Sequence, residues 1–214
     1  MVIGDVMPGQ LFSYVVDHDH GYAPNPEGGL CSLVHCKFRH TGDRRNNLVE
    51  MASVGDWILG TGGASRLSAG RDRIIYLMRV DEKIPFQQYI ASPEYRGRYD
   101  CRDFGQGNQF ALLSRHFYYF GCNAVGIDQL PPSINRGTLQ KRGMGYRRDM
   151  PALQIQRLTA WFGRTYKLGI HGQPCASRSN PALVSIVKTR HKCRPITHCR
   201  TEEGTNNNTA RRRC

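Results

Sequence analysis

The chain lacks any apolar run long enough to cross a lipid bilayer, which takes about 20 consecutive residues. Its N-terminus also lacks the charged start and apolar stretch that are typical of a secretory signal. We therefore expect a soluble, cytoplasmic protein with no membrane partner. The eight cysteines are scattered along the sequence, and without a route to an oxidising compartment we expect reduced thiols.

Several motifs of nucleotide-hydrolysing and acyl-transferring enzymes are also absent. The glycines at 60, 62 and 63 are not followed by the Lys-Ser/Thr pair of a phosphate loop. The sequence contains no serine-centred nucleophile elbow. These absences exclude two common enzyme classes, and an enzyme of another kind stays open as an alternative.

Acidic residues are scarce in the second half of the chain. Residues 1–110 contain 12 Lys and Arg against 13 Asp and Glu, whereas residues 111–214 contain 18 against 4, which gives the net charge of +13. A neutral half followed by a basic half suggests that a polyanion approaches from one side. The last residues, 188–214, are basic and almost without apolar periodicity, so we predict a disordered tail.

The order of apolar segments predicts an α+β domain. Strands are expected at 11–17, 30–38 and 73–80, with a turn, a short strand and a glycine-rich exit within 54–63. The polar stretch 39–50 is expected to be an exposed excursion. A short helix is expected after Pro85, and a second helix after Pro151 with Ile155, Leu158 and Phe162 on one stripe. We expect a curved mixed sheet or a small β-barrel with one or two flanking helices. The predicted organisation is a leader at 1–10, a single domain at 11–187 and the tail at 188–214.

An aromatic block at residues 116–121 is the strongest sign of a ligand pocket. It follows the apolar run Ala111-Leu112-Leu113 and contains four aromatic residues and a histidine. If the segment is one strand, Ser114, His116, Tyr118 and Phe120 share one face, and Arg115, Phe117 and Tyr119 the other. Aromatic faces stack on bases, and imidazole or phenol groups can read base edges. A plain core strand is the alternative. The predicted base-binding residues are Asn25, Trp57, Thr61, His116, Tyr118 and Tyr119.

A basic loop and a histidine are the candidates for phosphate contacts. Residues 141–148 combine four basic side chains with two glycines and a tyrosine, which suits a flexible grip because guanidinium groups match phosphate oxygens. A solvated charged loop is the alternative. The predicted phosphate-binding residues are Lys141, Arg142, Arg147, Arg148 and His171.

An alternating acid–imidazole run, Asp17-His18-Asp19-His20, suggests acid–base chemistry as a second possibility. At a strand end, His18 and His20 would share one face. The catalytic candidates are Asp17, His18 and His116. No third metal ligand stands at a recognisable spacing, so we predict no metal and no other cofactor.

Three blocks in this order resemble the second type of nucleotide-modification-associated domain: Tyr14–Gly29, Val54–Gly62 and His116–Gly121. The segments Gly145-Tyr146-Arg147 and Gly169-Ile170-His171-Gly172 continue the resemblance, which covers residues 11–175. The Gly55-Asp56-Trp57 turn and the strand at 73–80 are also similar to PUA-like domains of the ASCH and EVE types. These resemblances imply a bacterial or phage protein connected with DNA modification or defence.

Three functions follow as hypotheses. The first is a non-catalytic domain that binds nucleic acid or a modified nucleotide, with the base in an aromatic pocket and phosphates on the basic loop. The second is an enzyme that acts on a base or nucleotide. The third is a sensor of a small phosphorylated ligand in anti-phage defence or its evasion.

Overall fold

The computed structural model of the chain describes residues 9–34, 38–41, 44–101, 109–139 and 145–176, with the backbone alone at 38–41 and 44–46. Most of the predicted leader and all of the predicted tail at 188–214 lie outside these residues. The helices are α1 (Leu48–Met51), α2 (Phe86–Ala91) and α3 (Ala152–Thr165). The strands are β1 (Leu11–Val16), β2 (Cys31–Leu33), β3 (Phe38–Thr41), β4 (Arg44–Asn47), β5 (Trp57–Gly62), β6 (Arg73–Arg79), β7 (Glu82–Pro85), β8 (Phe110–Ser114), β9 (Phe117–Tyr119), β10 (Val125–Gly126), β11 (Tyr146–Arg147) and β12 (Gly169–Ile170).

Seven strands form the main sheet in the order β11-β1-β5-β6-β9-β12, with β10 paired to the start of β6. The pairs β1–β5 and β9–β12 are parallel, and the other pairs are antiparallel. Hence β1, β5, β9 and β12 run in one direction, and the loops that follow them leave the same edge of the sheet. We call this the carboxyl edge and the opposite one, where β5 and β9 begin, the amino edge.

Two smaller sheets complete the strand structure. One has the order β2-β8-β7, and the other is the β3–β4 hairpin. The described strands form no closed barrel. Of the two architectures expected from the sequence, a mixed sheet and a small β-barrel, the structure has the mixed sheet. The fold class, α+β with few helices, is confirmed. None of the three α-helices in the described ranges has the length and hydropathy needed to span a bilayer.

The chain changes sheets inside the aromatic block. Strand β8 ends at Ser114 and β9 begins at Phe117, and between them the Asp81 carboxylate accepts hydrogen bonds from the backbone N–H groups of Arg115 (2.7 Å) and His116 (3.1 Å). The prediction of one uninterrupted strand is therefore wrong, because this carboxylate stabilises a bend. Alternation does hold within the block from Phe117 onward.

The main sheet has an apolar cluster on each face. Phe117 and Tyr119 belong to the cluster that includes residues of β1 and β2, and Tyr118 and Phe120 belong to the cluster under α3. Helix α3 follows Pro151 as predicted and buries Ile155, Leu158 and Phe162, which lie on one side of a helix. Apolar clusters therefore cover both faces of the main sheet. The loops at its carboxyl and amino edges are the places where a ligand could bind.

Two local predictions need correction. The expected strand at 30–38 is divided, since β2 and β3 belong to different sheets. The polar stretch 39–50, expected as an exposed excursion, contains the β3–β4 hairpin and α1. The Asn47 side chain caps α1 by accepting from the Val49 N–H, and both Leu48 and Val49 are buried. Helix α1 has only four residues, two of them buried, so its apolar pattern is too short to be recognised in the sequence.

Candidate functional site

Two of the predicted base-binding residues lie inside the protein with their side chains bonded to protein groups. The Asn25 amide donates to Asp100 Oδ1 (2.9 Å) and accepts from the Glu27 N–H (3.1 Å). The Thr61 hydroxyl donates to the carbonyl of Tyr14 (3.1 Å). Both residues are almost fully buried. Their hydrogen bonds stabilise the protein segments around the other predicted base-binding and catalytic residues.

Tyr119, a third predicted base-binding residue, is buried and joins β9 to the loop after β1. Its hydroxyl donates to Asp19 Oδ1 at 2.6 Å, and burial followed by the nearby Asp19 charge raises the pKa of the phenol. The other carboxylate oxygen of Asp19 accepts from the Cys175 N–H at 3.2 Å. The Asp19 backbone bonds to Leu67 and Ala176. Asp19 therefore ties together the loops that follow β1, β5 and β12.

The remaining predicted base-binding residues, Trp57, His116 and Tyr118, lie together at the amino edge. The His116 ring packs edge-on against Trp57 (5.3 Å between centroids) and Tyr118 (6.0 Å). Trp57 is 9% exposed and Tyr118 is 2% exposed, so His116 is the most accessible of the three. Burial, followed by the positive charge of Arg79, lowers the pKa of His116, and Asp81 opposes this shift. These rings mainly pack edge-on against one another.

The catalytic candidates are divided between the two edges. Asp17 and His18 follow β1 at the carboxyl edge, whereas His116 lies beside Trp57 at the amino edge. Trp57 pairs with Leu11, and Gly62 pairs with Val16, so the full length of β5 separates the edges. Five residues of extended strand span roughly 16 Å. Direct proton transfer between His116 and the other two is therefore excluded in this arrangement.

Four rings form a row in the carboxyl-edge loops, which we call the ring row: His18, His20, Tyr22 and Tyr99. The His18 and His20 rings are parallel within 1° at 6.2 Å between centroids, and Tyr22 lies 6.2 Å from His20. Tyr99 meets Tyr22 edge-on at 5.9 Å. His18 is exposed and the others are half-buried. The expectation that His18 and His20 share a face agrees with these parallel rings. Tyr99 is too distant in sequence for the pattern to predict it.

A buried charged network fixes the loops that carry Tyr22 and Tyr99. The Asp100 carboxylate, fully buried, accepts hydrogen bonds from Asn25, from the Ser32 hydroxyl and from the Tyr89 hydroxyl (3.1 Å). Arg98 lies 3.6 Å from the same carboxylate. Its guanidinium donates to the backbone carbonyls of Asn25, Glu27 and Leu30. Residues 25–30 are therefore held firmly against residues 98–100.

The two predicted phosphate-binding residues Arg147 and His171 lie on opposite sides of the main sheet. Arg147 lies on β11 and His171 follows β12, the two outermost strands of the main sheet. The Arg147 guanidinium is engaged by the Asp149 carboxylate (2.8 and 2.9 Å) and by the Gly137 carbonyl (2.8 Å). Arg148 is exposed. Lys141 and Arg142 lie outside the described residues.

A cation that sequence reasoning missed lies in a loop that is hydrogen-bonded to the loop carrying His18 and His20. Arg66, in the loop after β5, is exposed, and its neighbour Leu67 accepts the hydrogen bond from the Asp19 N–H at 2.9 Å. The same loop begins at Gly63, where a Cβ atom would lie 1.8 Å from the Asp17 carboxylate. A Cβ at Gly62 would lie 1.8 Å from the Gly70 carbonyl. Gly62 and Gly63 therefore make room for protein atoms of neighbouring segments.

No metal-binding group of three or more His, Cys, Asp or Glu side chains occurs among the described residues. A family model described as nucleotide modification associated domain 2 matches the chain over residues 8–107 and 100–181. Neither the curated proteins nor the solved structures gave a match.

Proposed function

Because the chain belongs to the nucleotide modification associated domain 2 family, we propose that it is a non-catalytic recognition domain whose carboxyl-edge loops bind a nucleotide or nucleic acid. The family name gives the coarse role, one related to nucleotide modification. The ring row is the observation that supports the finer statement. It offers an exposed imidazole, His18, at the end of a parallel pair of rings.

In this proposal a base stacks on the outer face of His18. Stacking on an aromatic side chain contributes about 1–3 kcal/mol per base and tolerates any base, because each base has a π-face. The Asp100 network supports the inner end of the row, so the loop does not have to become ordered on binding. A pre-ordered loop lowers the entropic cost of association.

Charge near the row supports a phosphorylated ligand. Arg66 is exposed in the loop that bonds to Asp19, and a guanidinium group is a suitable partner for phosphate oxygens. The excess of basic residues after position 110 adds long-range attraction for a polyanion. The predicted contacts by Lys141, Arg142, Arg147, Arg148 and His171 remain predictions, and the Asp149 and Gly137 contacts would have to be exchanged before Arg147 contributed fully.

Equilibrium binding of labelled nucleoside monophosphates and short single-stranded oligonucleotides at low salt tests the proposal. We expect binding that weakens as salt rises. His18→Ala should weaken it by about 5- to 150-fold, the equivalent of one lost stacking contact. His116→Ala is the matched control, because it removes the same ring at the opposite edge of the sheet.

The same pair of variants tests the predicted amino-edge pocket of Trp57, His116 and Tyr118. If His116→Ala weakens binding and His18→Ala does not, the ligand lies at the amino edge and the ring-row proposal is wrong. If the full-length protein binds none of the ligands at low salt, recognition of nucleotides is refuted altogether.

An enzyme acting on a base or nucleotide is the second candidate, favoured by the position of Asp17 next to His18 of the ring row. With His116 at the other edge, acid–base chemistry there would use these two residues and His20. Mass spectra of modified and unmodified nucleotides after incubation with the protein, with and without divalent cations, separate the two functions. Unchanged spectra support a binding domain, and a mass change that Asp17→Asn abolishes supports an enzyme.

A further inference from the structure

A second aromatic surface lies where α3 ends and β12 begins. Trp161 and Tyr166 meet edge-on at 5.7 Å, and Tyr166 meets His171 at 5.7 Å. All three rings are half-buried, and they rest on Phe120 and Phe162, which are buried. We call Trp161, Tyr166 and His171 the α3 platform. None of them belongs to the ring row.

The imidazole of the α3 platform is held in one orientation. His171 stacks on Phe120 at 4.9 Å with 19° between the ring planes, and its Nε2–H donates to the Lys167 carbonyl at 2.7 Å. The backbone N–H of His171 donates to Tyr119, and its carbonyl accepts from Asn123. In the neutral ring this leaves Nδ1 as a hydrogen-bond acceptor.

The chain segment that carries the α3 platform has charged side chains of one sign. The chain has no carboxylate side chain between Asp149 and Glu202, while Arg164 and Lys167 fall within the platform's sequence and are exposed. The four ion pairs formed by the described residues include neither of these two cations. Half-buried rings interspersed with exposed cations match the way single-stranded nucleic acid is bound, with bases on rings and phosphates on cations.

We propose that the α3 platform is a second contact for a single-stranded polynucleotide, one base of which occupies the ring row. This inference rests on the proposed function and narrows its ligand from any nucleotide to a polymer. Tyr119 links the two surfaces, because its carbonyl accepts from the His171 N–H and its hydroxyl donates to Asp19. Tyr119 therefore connects the loop after β12 to the loop after β1, and a strand several nucleotides long is the ligand expected to reach both surfaces.

The experiment compares the affinity of the full chain for a nucleoside monophosphate with that for a single strand of about 10 nucleotides, a length within the range that such surfaces cover. The oligonucleotide should bind more tightly. Trp161→Ala should lower the oligonucleotide-to-monophosphate affinity ratio by about 5- to 150-fold. The double variant Arg164→Gln/Lys167→Gln should reduce the slope of log affinity against log salt by about 1.4, or roughly 0.7 per phosphate contact.

Arg79→Gln is the matched control, because Arg79 is exposed, ends β6 at the amino edge of the sheet and pairs with Asp81. It should leave the affinity ratio unchanged. Because Arg164 and Lys167 are exposed, the double variant at these positions still tests the proposal if Trp161→Ala fails to fold. Trp161→Phe, which keeps an aromatic ring, should restore most of the oligonucleotide-to-monophosphate affinity ratio.

An unchanged salt slope in the double variant, or equal affinity for monomer and polymer, would overturn this inference while leaving monophosphate binding at His18 intact. Tight oligonucleotide binding that depends on Trp161 but not on His18 would support the α3 platform and refute the ring row. Binding to phosphatidylserine vesicles that Trp161→Ala abolishes, without oligonucleotide binding, would assign the surface to lipid and overturn the inference.

Discussion

Replacing Asp100 with asparagine tests whether the buried network organises the carboxyl-edge loops. The change keeps the shape of the side chain but removes its charge and turns one oxygen into a donor. That donor would face the groups of Asn25, Ser32 and Tyr89, which now donate to the carboxylate. Arg98, whose side chain is 11% exposed, would keep its charge without a carboxylate partner.

The expected loss of stability depends on how many other groups bond to the Arg98 guanidinium once the Asp100 charge is removed. Removing one partner of a buried ion pair costs about 3–5 kcal/mol, mainly because an uncompensated charge remains. Here the separation is 3.6 Å, and the guanidinium also donates to three backbone carbonyls. We therefore expect the lower end, about 3 kcal/mol of unfolding free energy. In a protein of this size that corresponds to a fall of roughly 6–12 °C in Tm.

Urea denaturation followed by circular dichroism measures the effect, with Asp128→Asn as the control. Asp128 is exposed, so the same chemical change there should alter stability by less than about 0.5 kcal/mol. Loss of the network should also loosen the Tyr22–Tyr99 contact and weaken nucleotide binding at temperatures where the variant is folded. If Asp100→Asn loses less than about 1 kcal/mol at an unchanged m-value, the network does not carry the loops and our account of the ring row is wrong.

Two further predictions concern titratable groups. Burial and the neighbouring Asp19 charge raise the pKa of Cys175 to about 12, so at pH 8 iodoacetamide should modify exposed Cys122 well before Cys175. Peptide mass spectrometry measures both sites, and faster modification of Cys175 would contradict its burial. The pKa of His116 is lowered on folding, so the unfolded chain binds more protons at mildly acid pH. His116 should therefore contribute stability that is complete above its unfolded pKa of about 6.5 and is lost as the pH falls below it. His116→Gln should flatten this part of the stability–pH curve; an unchanged curve would contradict the shift.

Sequence periodicity was sufficient for the parts of the fold that follow from local pattern. The strand at 73–80 and the helix after Pro151 are confirmed, because each has a long apolar period with clear ends. The division of the aromatic block could not be predicted, since the bend depends on Asp81, more than 30 residues earlier. The composition shows which aromatic and polar residues the chain contains, but it does not show which of them contact one another in the fold.

The aromatic block shows why a candidate pocket cannot be assigned from residue types alone. His116 and Tyr118 have the groups that could bind a base, yet their rings contact Trp57 and Phe162, partners that a core would provide equally well. In the ring row, by contrast, His18 ends the series of rings at the protein surface. A row of rings is part of the core if its last ring packs against another protein group, and it is a binding surface if that ring faces solvent. In the ring row this arrangement depends on the loops that Asp19 and Asp100 hold together.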